Sequence, residues 1–154
     1  MLSEIVRDLL ESKGETKYQS ALEVIANTFG AQTATVHRAD SSARTLELVA
    51  SRGIPEHLLT VTRTIPFGKG MAGICAERRD CVTACNLQTD DSGVARPSAR
   101  ETGVAGAIVV PILSPGDGLL GTLGVGKPDE HDYTVEETQT LKSCADAFAS
   151  IFAA

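Results

Sequence analysis

The sequence predicts an α+β domain in which an antiparallel sheet carries helices on one face and a loop segment on the other. Three observations predict it. Apolar residues recur at helical spacing at both ends of the chain. Between them, strand-like runs are joined by short polar turns, which permit only antiparallel pairing. One run, 104–113, is almost wholly apolar, as in a strand covered on both faces. The 154 residues fit one domain that buries its own core. Hydrophobic residues make up 42% and charged residues 22%, but aromatics only 4%, so the core must be built from Val, Ile, Leu and Ala.

Leu2, Ile5, Val6, Leu9 and Leu10 predict a first helix over 2–12, broken by Gly14. Its stripe is fuller than a frayed end needs, so it packs on the domain or on a second subunit. Tyr18, Ala21, Leu22, Ile25, Ala26 and Phe29 give a second helix that stops at Gly30. Strands are expected at 33–38 and 45–51, joined by a polar hairpin loop, and a third at 58–65, closed by Pro66. A short helix at 70–79 and a short strand at 81–84 follow. The polar segment 86–101 is long for a plain connection, which points to a lid or binding loop that can hold a short helix. Pro111 marks a bulge or the end of the 104–113 strand. The turn Ser114-Pro115-Gly116-Asp117-Gly118 returns the chain into a strand at 119–126. Thr134 and Glu137 have capping-box spacing ahead of a final helix striped by Leu141, Cys144, Ala145, Phe148, Ile151 and Phe152.

A formal net charge of −6 disfavours a polyanion partner, and the closest basic pairs, such as Arg78-Arg79 and Arg96 with Arg100, are short and not interleaved with aromatics. No run is long enough to span a membrane, and the N-terminus has no secretory leader, so the expected location is the cytoplasm. Cys75, Cys81, Cys85 and Cys144 are too few for a disulfide scaffold and are read as thiols, ligands or core filler.

Three stretches resemble the GAF domain family. Ile65-Pro66-Phe67-Gly68-Lys69-Gly70-Met71-Ala72-Gly73 is similar to the family's apolar strand, G-x-G-x-x-G and helix. Ala107-Ile108-Val109-Val110-Pro111-Ile112 ahead of Gly121-Thr122-Leu123-Gly124-Val125 resembles its paired Pro-containing and "G-V-L-x-V" strands. Tyr133-Thr134-Val135-Glu136-Glu137 resembles the entry to its last helix. The resemblance implies a GAF/PAS-like sheet of five or six antiparallel strands. Terminal helices would lie on one face, and a pocket covered by a short helix and loop on the other. It divides the chain into an N-terminal helix, 1–15, with a possible dimer contact, and a GAF domain, 16–154. It further implies a free-standing sensor of an unknown small molecule, signalling through a homodimer of terminal helices or through a protein partner.

The glycines at 68, 70 and 73 have dinucleotide-fingerprint spacing, but no βαβ unit follows, so a tight turn and close helix packing explain them better. The alternative enzyme reading is a thiol-dependent reductase of a small oxidised metabolite, similar to the free methionine-R-sulfoxide reductases. Cys75, Cys81 and Cys85 would then be catalytic. Against it, that subclass's motif positions fall on Ala72, on the cysteine-free segment 86–103, and on Gly124 and Gly126 in place of acidic residues. A zinc site from these cysteines with His37 or His57 lacks the usual knuckle spacing, so neither metal nor cofactor is expected. Bilin attachment and cyclic-nucleotide signatures are absent. The candidate ligand-binding residues are His37, Cys75, Cys81, Cys85, Asp91, Arg96 and Arg100; the arginines can pair bidentately with a carboxylate or phosphate. A third reading is a dimerisation module with no ligand.

Overall fold

The computed structural model describes residues 2–93 and 97–153. Its helices are α1 (Leu2–Glu11), α2 (Lys17–Phe29), α3 (Leu59–Arg63, entered through a 3₁₀ turn at Glu56–Leu58), α4 (Gly70–Arg78), α5 (Pro97–Arg100) and α6 (Val135–Phe152). Its strands are β1 (Thr33–Asp40), β2 (Thr45–Arg52), β3 (Thr64–Pro66), β4 (Val82–Ala84), β5 (Ala107–Leu113) and β6 (Leu119–Gly126). They form one six-stranded sheet in the order β3-β2-β1-β6-β5-β4, antiparallel at every pairing.

Alternation along the strands sorts side chains between two cores. Ala34, Val36, Ile108, Val110, Ile112, Leu123 and Val125 point to one face and pack under α1, α2 and α6. There they meet Val6, Leu10, Leu22, Ile25, Leu141 and Phe148, all buried. The first helix therefore packs on its own domain: Leu2, Val6 and Leu10 are buried, and only Ile5 of its stripe is half exposed. On the opposite face, Val82, Ala84, Ala107 and Val109 join Met71, Cys75, Leu87 and Val104 in a smaller core under α4.

Local chemistry fixes the elements. Gly30 closes α2 with a left-handed φ of 63°. Thr134 Oγ1 accepts the Glu137 N–H at 3.1 Å while Glu137 Oε1 accepts the Thr134 N–H at 2.9 Å, completing the expected capping box. Gly73 lies against the sheet edge: a Cβ there would stand 2.5 Å from the Pro66 carbonyl oxygen. The glycine-rich turn thus serves close packing of α4.

Two expectations are corrected. Residues 58–63 are helical, and only Thr64–Pro66 joins the sheet. The β-branched run suggested a strand, but Leu58 and Thr62 also fall one helical turn apart, and the Thr62 hydroxyl donates back to the Leu58 carbonyl at 2.9 Å. The 104–113 strand starts at Ala107, because Ala105 and Gly106 give their N–H groups to the Lys127 and Asp129 carbonyls beyond β6. Pro111 is tolerated opposite Thr122, and the irregularity comes just after it, between Ile112 and Leu113. Among the described residues, no helix is long and apolar enough to cross a membrane.

Two substitutions test this packing by thermal unfolding. Thr134→Ala should destabilise by about 1 kcal/mol through loss of the cap. Gly73→Ala should be more damaging, because its new methyl meets rigid backbone; an unchanged melting temperature in Gly73→Ala would contradict the close approach of α4.

Candidate ligand pocket

The second face of the central strands carries little bulk. β1 presents Thr33, Thr35 and His37, which stand opposite Gly126, Gly124 and Thr122 of β6. The two β6 glycines leave space over the middle of the sheet. A cavity of about 140 Å³ lies there, floored by Thr33, Thr35, Val109, Gly124 and Gly126 and roofed by Leu87, Ala99, Thr102 and Val104. A second cavity, about 160 Å³, lies beside it between Leu58, Val61, Thr62, Ile65 and Met71. Ile54, Ala99 and Thr102 border both, so α5 and the residues after it form the partition between them.

The lid is tied to itself. Gln88 Nε2 donates to the Arg100 carbonyl at 3.0 Å and to the Val104 carbonyl at 2.8 Å. The Arg100 guanidinium donates to the Asp90 carbonyl. Gln32 Nε2, at the foot of β1, reaches the Thr102 carbonyl at 3.3 Å. α3, the other wall, is clipped to the sheet by His37, whose Nε2–H donates to the Thr62 carbonyl at 2.8 Å. His37 is buried and its Nδ1 has no partner among the described residues. Burial holds its pKa below the ordinary value of 6.5, against the opposing pull of the Thr62 bond and the Glu47 charge. The ring is therefore neutral, with its proton on Nε2.

The candidate residues named from the sequence are dispersed. His37 supports a wall of the pocket from beneath. Arg100 secures the lid, and Asp91 is exposed on it. Arg96 lies outside the described residues. None of Cys75, Cys81 and Cys85 borders either cavity. Cys75 is fully buried on α4, and burial, then the neighbouring Cys81 and Asp80, push its thiol up. On β4, Val82 and Ala84 turn to the pocket-side core, so Cys81 and Cys85 lie on the other side of that edge strand. Cys85 donates to the Asp132 carboxylate, which, with burial and the charges of Asp132 and Glu130, raises its pKa. Cys144 is core filler on α6, its thiol pushed by burial up to about 12. All four are free thiols, and the surroundings of Cys75, Cys85 and Cys144 disfavour the thiolate. Among the described residues, no His, Cys, Asp and Glu cluster could hold a metal ion.

Sequence reasoning missed Ile54, Leu58, Thr62, Ala99 and Thr102 as walls. The threonine alternation on β1 and the glycine alternation on β6 were the available signals for the floor. Nor does sequence reasoning single out His131. His131 is half-buried, its Nε2 lies 2.9 and 3.0 Å from the two Glu137 carboxylate oxygens, and its ring meets Tyr133 edge-on.

The model of the GAF domain family matches residues 15–153, and the chain belongs to that family. No curated protein has a significant sequence match to it. Among solved structures, it is similar to the GAF domain of a phosphoenolpyruvate-protein phosphotransferase from Coxiella burnetii. The TM-score is 0.81 at 20% identity, over 99% of this chain and 90% of that one. The equivalent domain from Acinetobacter gives 0.80 at 16% identity, over 99% and 90%. A free methionine-R-sulfoxide reductase from Neisseria meningitidis, solved with its substrate, gives 0.77 at 20% identity, over 99% and 84%. At these identities the likeness is one of fold, and the fold is that of sensory and regulatory domains in general.

His37 makes the domain acid-sensitive in a defined direction. Its folded pKa is lowered, so the unfolded chain binds the proton first, and stability is full above 6.5 and falls as pH drops below it. Equilibrium unfolding at pH 7.5 and 5.5 should show this loss, at most about 1.4 kcal/mol per pH unit from this group. The loss should be smaller in His37→Gln; an equal loss would contradict a buried neutral ring.

Proposed function

We propose that this GAF domain is a non-enzymatic sensor. It binds one small, largely apolar or amphipathic molecule over the sheet and signals through its terminal helices to a second copy or a partner protein, in the cytoplasm. The observation that carries the reading is the pair of adjoining cavities that share Ile54, Ala99 and Thr102 as a common border. A molecule entering there would displace that partition, merge the two spaces and reorder the lid. The walls are mainly methyl and methylene groups, with threonine hydroxyls at 33, 35, 62 and 102 as the polar contacts that would orient it. The same strands that floor the cavity bear Ala34, Val36, Leu123 and Val125 on their other side, against the helices. A shift of the sheet would therefore reach α1 and α6 directly, where the N-terminal segment 1–15 exposes Ile5 beside an open groove. The response is a population shift and requires the ligand to prefer one lid arrangement.

The rival reading, a thiol-dependent reductase, has one observation in its favour: Cys81 is close enough for its charge to act on the Cys75 thiol. It needs a thiolate beside the substrate, however, and the cavity-lining residues include no thiol.

A thermal-shift panel of nucleotides, amino acids and thioether oxides, run on the wild type and Ala99→Leu, tests both. At about 100 times its Kd a true ligand stabilises by about 2.7 kcal/mol, roughly 5 °C or more for a domain this size. The leucine should fill the partition and abolish the shift. No stabilising compound in the panel, a shift that persists in Ala99→Leu, or dithiol-dependent reduction of free methionine sulfoxide would each overturn the reading.

A further inference from the structure

Away from the sheet cavity, three turns meet at one end of the sheet and enclose a polar cleft of about 260 Å³. Its walls are Ser41 and Arg44 from the β1–β2 turn, Phe67 after β3, Glu77 and Arg79 at the end of α4, and Gly118 of the β5–β6 turn. Both arginines are held in place without being neutralised. The Arg44 guanidinium lies over the Phe67 ring, 5.2 Å from its centroid. Arg79 Nη1 is aimed at the Asp117 backbone carbonyl at 3.5 Å, a long contact that leaves the rest of its fork open. Neither is in an ion pair among the described residues, where the salt bridges involve Arg52, Lys127 and His131. Glu77 is the one carboxylate in the wall, and it is packed against the Gly68 backbone.

The backbone adds an independent observation. Among the described residues, the non-glycine positions with left-handed φ are Arg44 at 56°, Arg79 at 55° and Asp117 at 63°. All three border or adjoin this cleft. Glycine would fill each position without a Cβ penalty, and the helix-terminating position of Arg79 is one where glycine is the usual choice. Two guanidiniums thus occupy sites that local conformation disfavours for them, in a chain of net charge −6.

We propose that this cleft is a second ligand site, distinct from the sheet cavity, and that it takes a phosphoryl group. A carboxylate offers two oxygens and satisfies one guanidinium fork. A phosphoryl group has three terminal oxygens, each able to accept more than one hydrogen bond, so by sharing oxygens it can meet two forks approaching from different turns and the Ser41 hydroxyl. The cleft opens at the surface, so the rest of a phosphorylated molecule can extend into solvent.

The test is an amide-resolved NMR titration with inorganic phosphate at fixed ionic strength, with acetate as the competing oxyanion. It is run on the wild type, Arg44→Gly, Arg79→Gly and Ala99→Leu. Phosphate should give saturable shifts confined to 41–44, 67–69, 76–80 and 116–119, with acetate at least tenfold weaker. Each arginine variant should weaken phosphate binding tenfold or more, and Ala99→Leu should not change it, which separates this site from the sheet cavity. Arg79→Gly relieves a left-handed Cβ, so its melting temperature without phosphate should equal or exceed the wild type's. Unsaturable shifts, an equal response to acetate, or undiminished affinity in both arginine variants would overturn the proposal.

Discussion

The pocket of this domain depends on one constraint: the two central strands must be closely packed on one face and nearly empty on the other. Period-two alternation gives β1 and β6 that asymmetry. Ala34, Val36, Leu123 and Val125 fill the helix side, while Thr33, Thr35, Gly124 and Gly126 leave the other side low. A larger side chain on the floor would not fit quietly. A Cβ at Gly126 would stand 2.5 Å from Val104 and 2.7 Å from Thr33 Oγ1, and at Gly124 3.1 Å from Val109. The small core around α4 and the lid closes over this face, and the space between them is the cavity.

The walls are fastened unequally. The helix side is a continuous apolar core, with α6 capped at its start and an aromatic group of Tyr18, Phe148 and Phe152 at its end. The lid is secured mainly by Gln88, Arg100 and Gln32, each bonding to main-chain carbonyls, with Arg100 and Gln88 on exposed residues. Exposed polar ties are individually weak. The floor is thus fastened by a continuous core and the roof by fewer, mostly exposed ties, the asymmetry that the proposed sensor would use.

Much of the fold was legible in the residues. The hairpins announced themselves through polar turns between alternating runs, α6 through Thr134 and Glu137, and the end of α2 through Gly30. The region 58–65 misled, because Val61, Thr60, Thr62 and Thr64 favour a strand by type, whereas the buried Leu58 and the Thr62 hydroxyl, bonded to the Leu58 carbonyl, belong to a helical turn. The floor was not picked out: His37 was singled out, but it lies under α3 on the Thr62 carbonyl, while Thr33 and Thr35 on the same strand line the cavity. The rest depends on long-range pairing that no local pattern carries. Cys85 meets Asp132 across the chain, His131 turns inward to Glu137, and Arg100 spends its guanidinium on the Asp90 main chain. Likewise, the left-handed backbone at Arg44 and Arg79 has no signature in residue types that usually avoid it.

The emptiness of the pocket-side floor can be measured without knowing the ligand. Apolar cavities near 150 Å³ accept xenon. A crystal pressurised with xenon should show it bound over Gly124, between Thr35 and Ala99. A floor collapsed onto Leu87 and Val104, with no xenon over β1 and β6, would contradict the account.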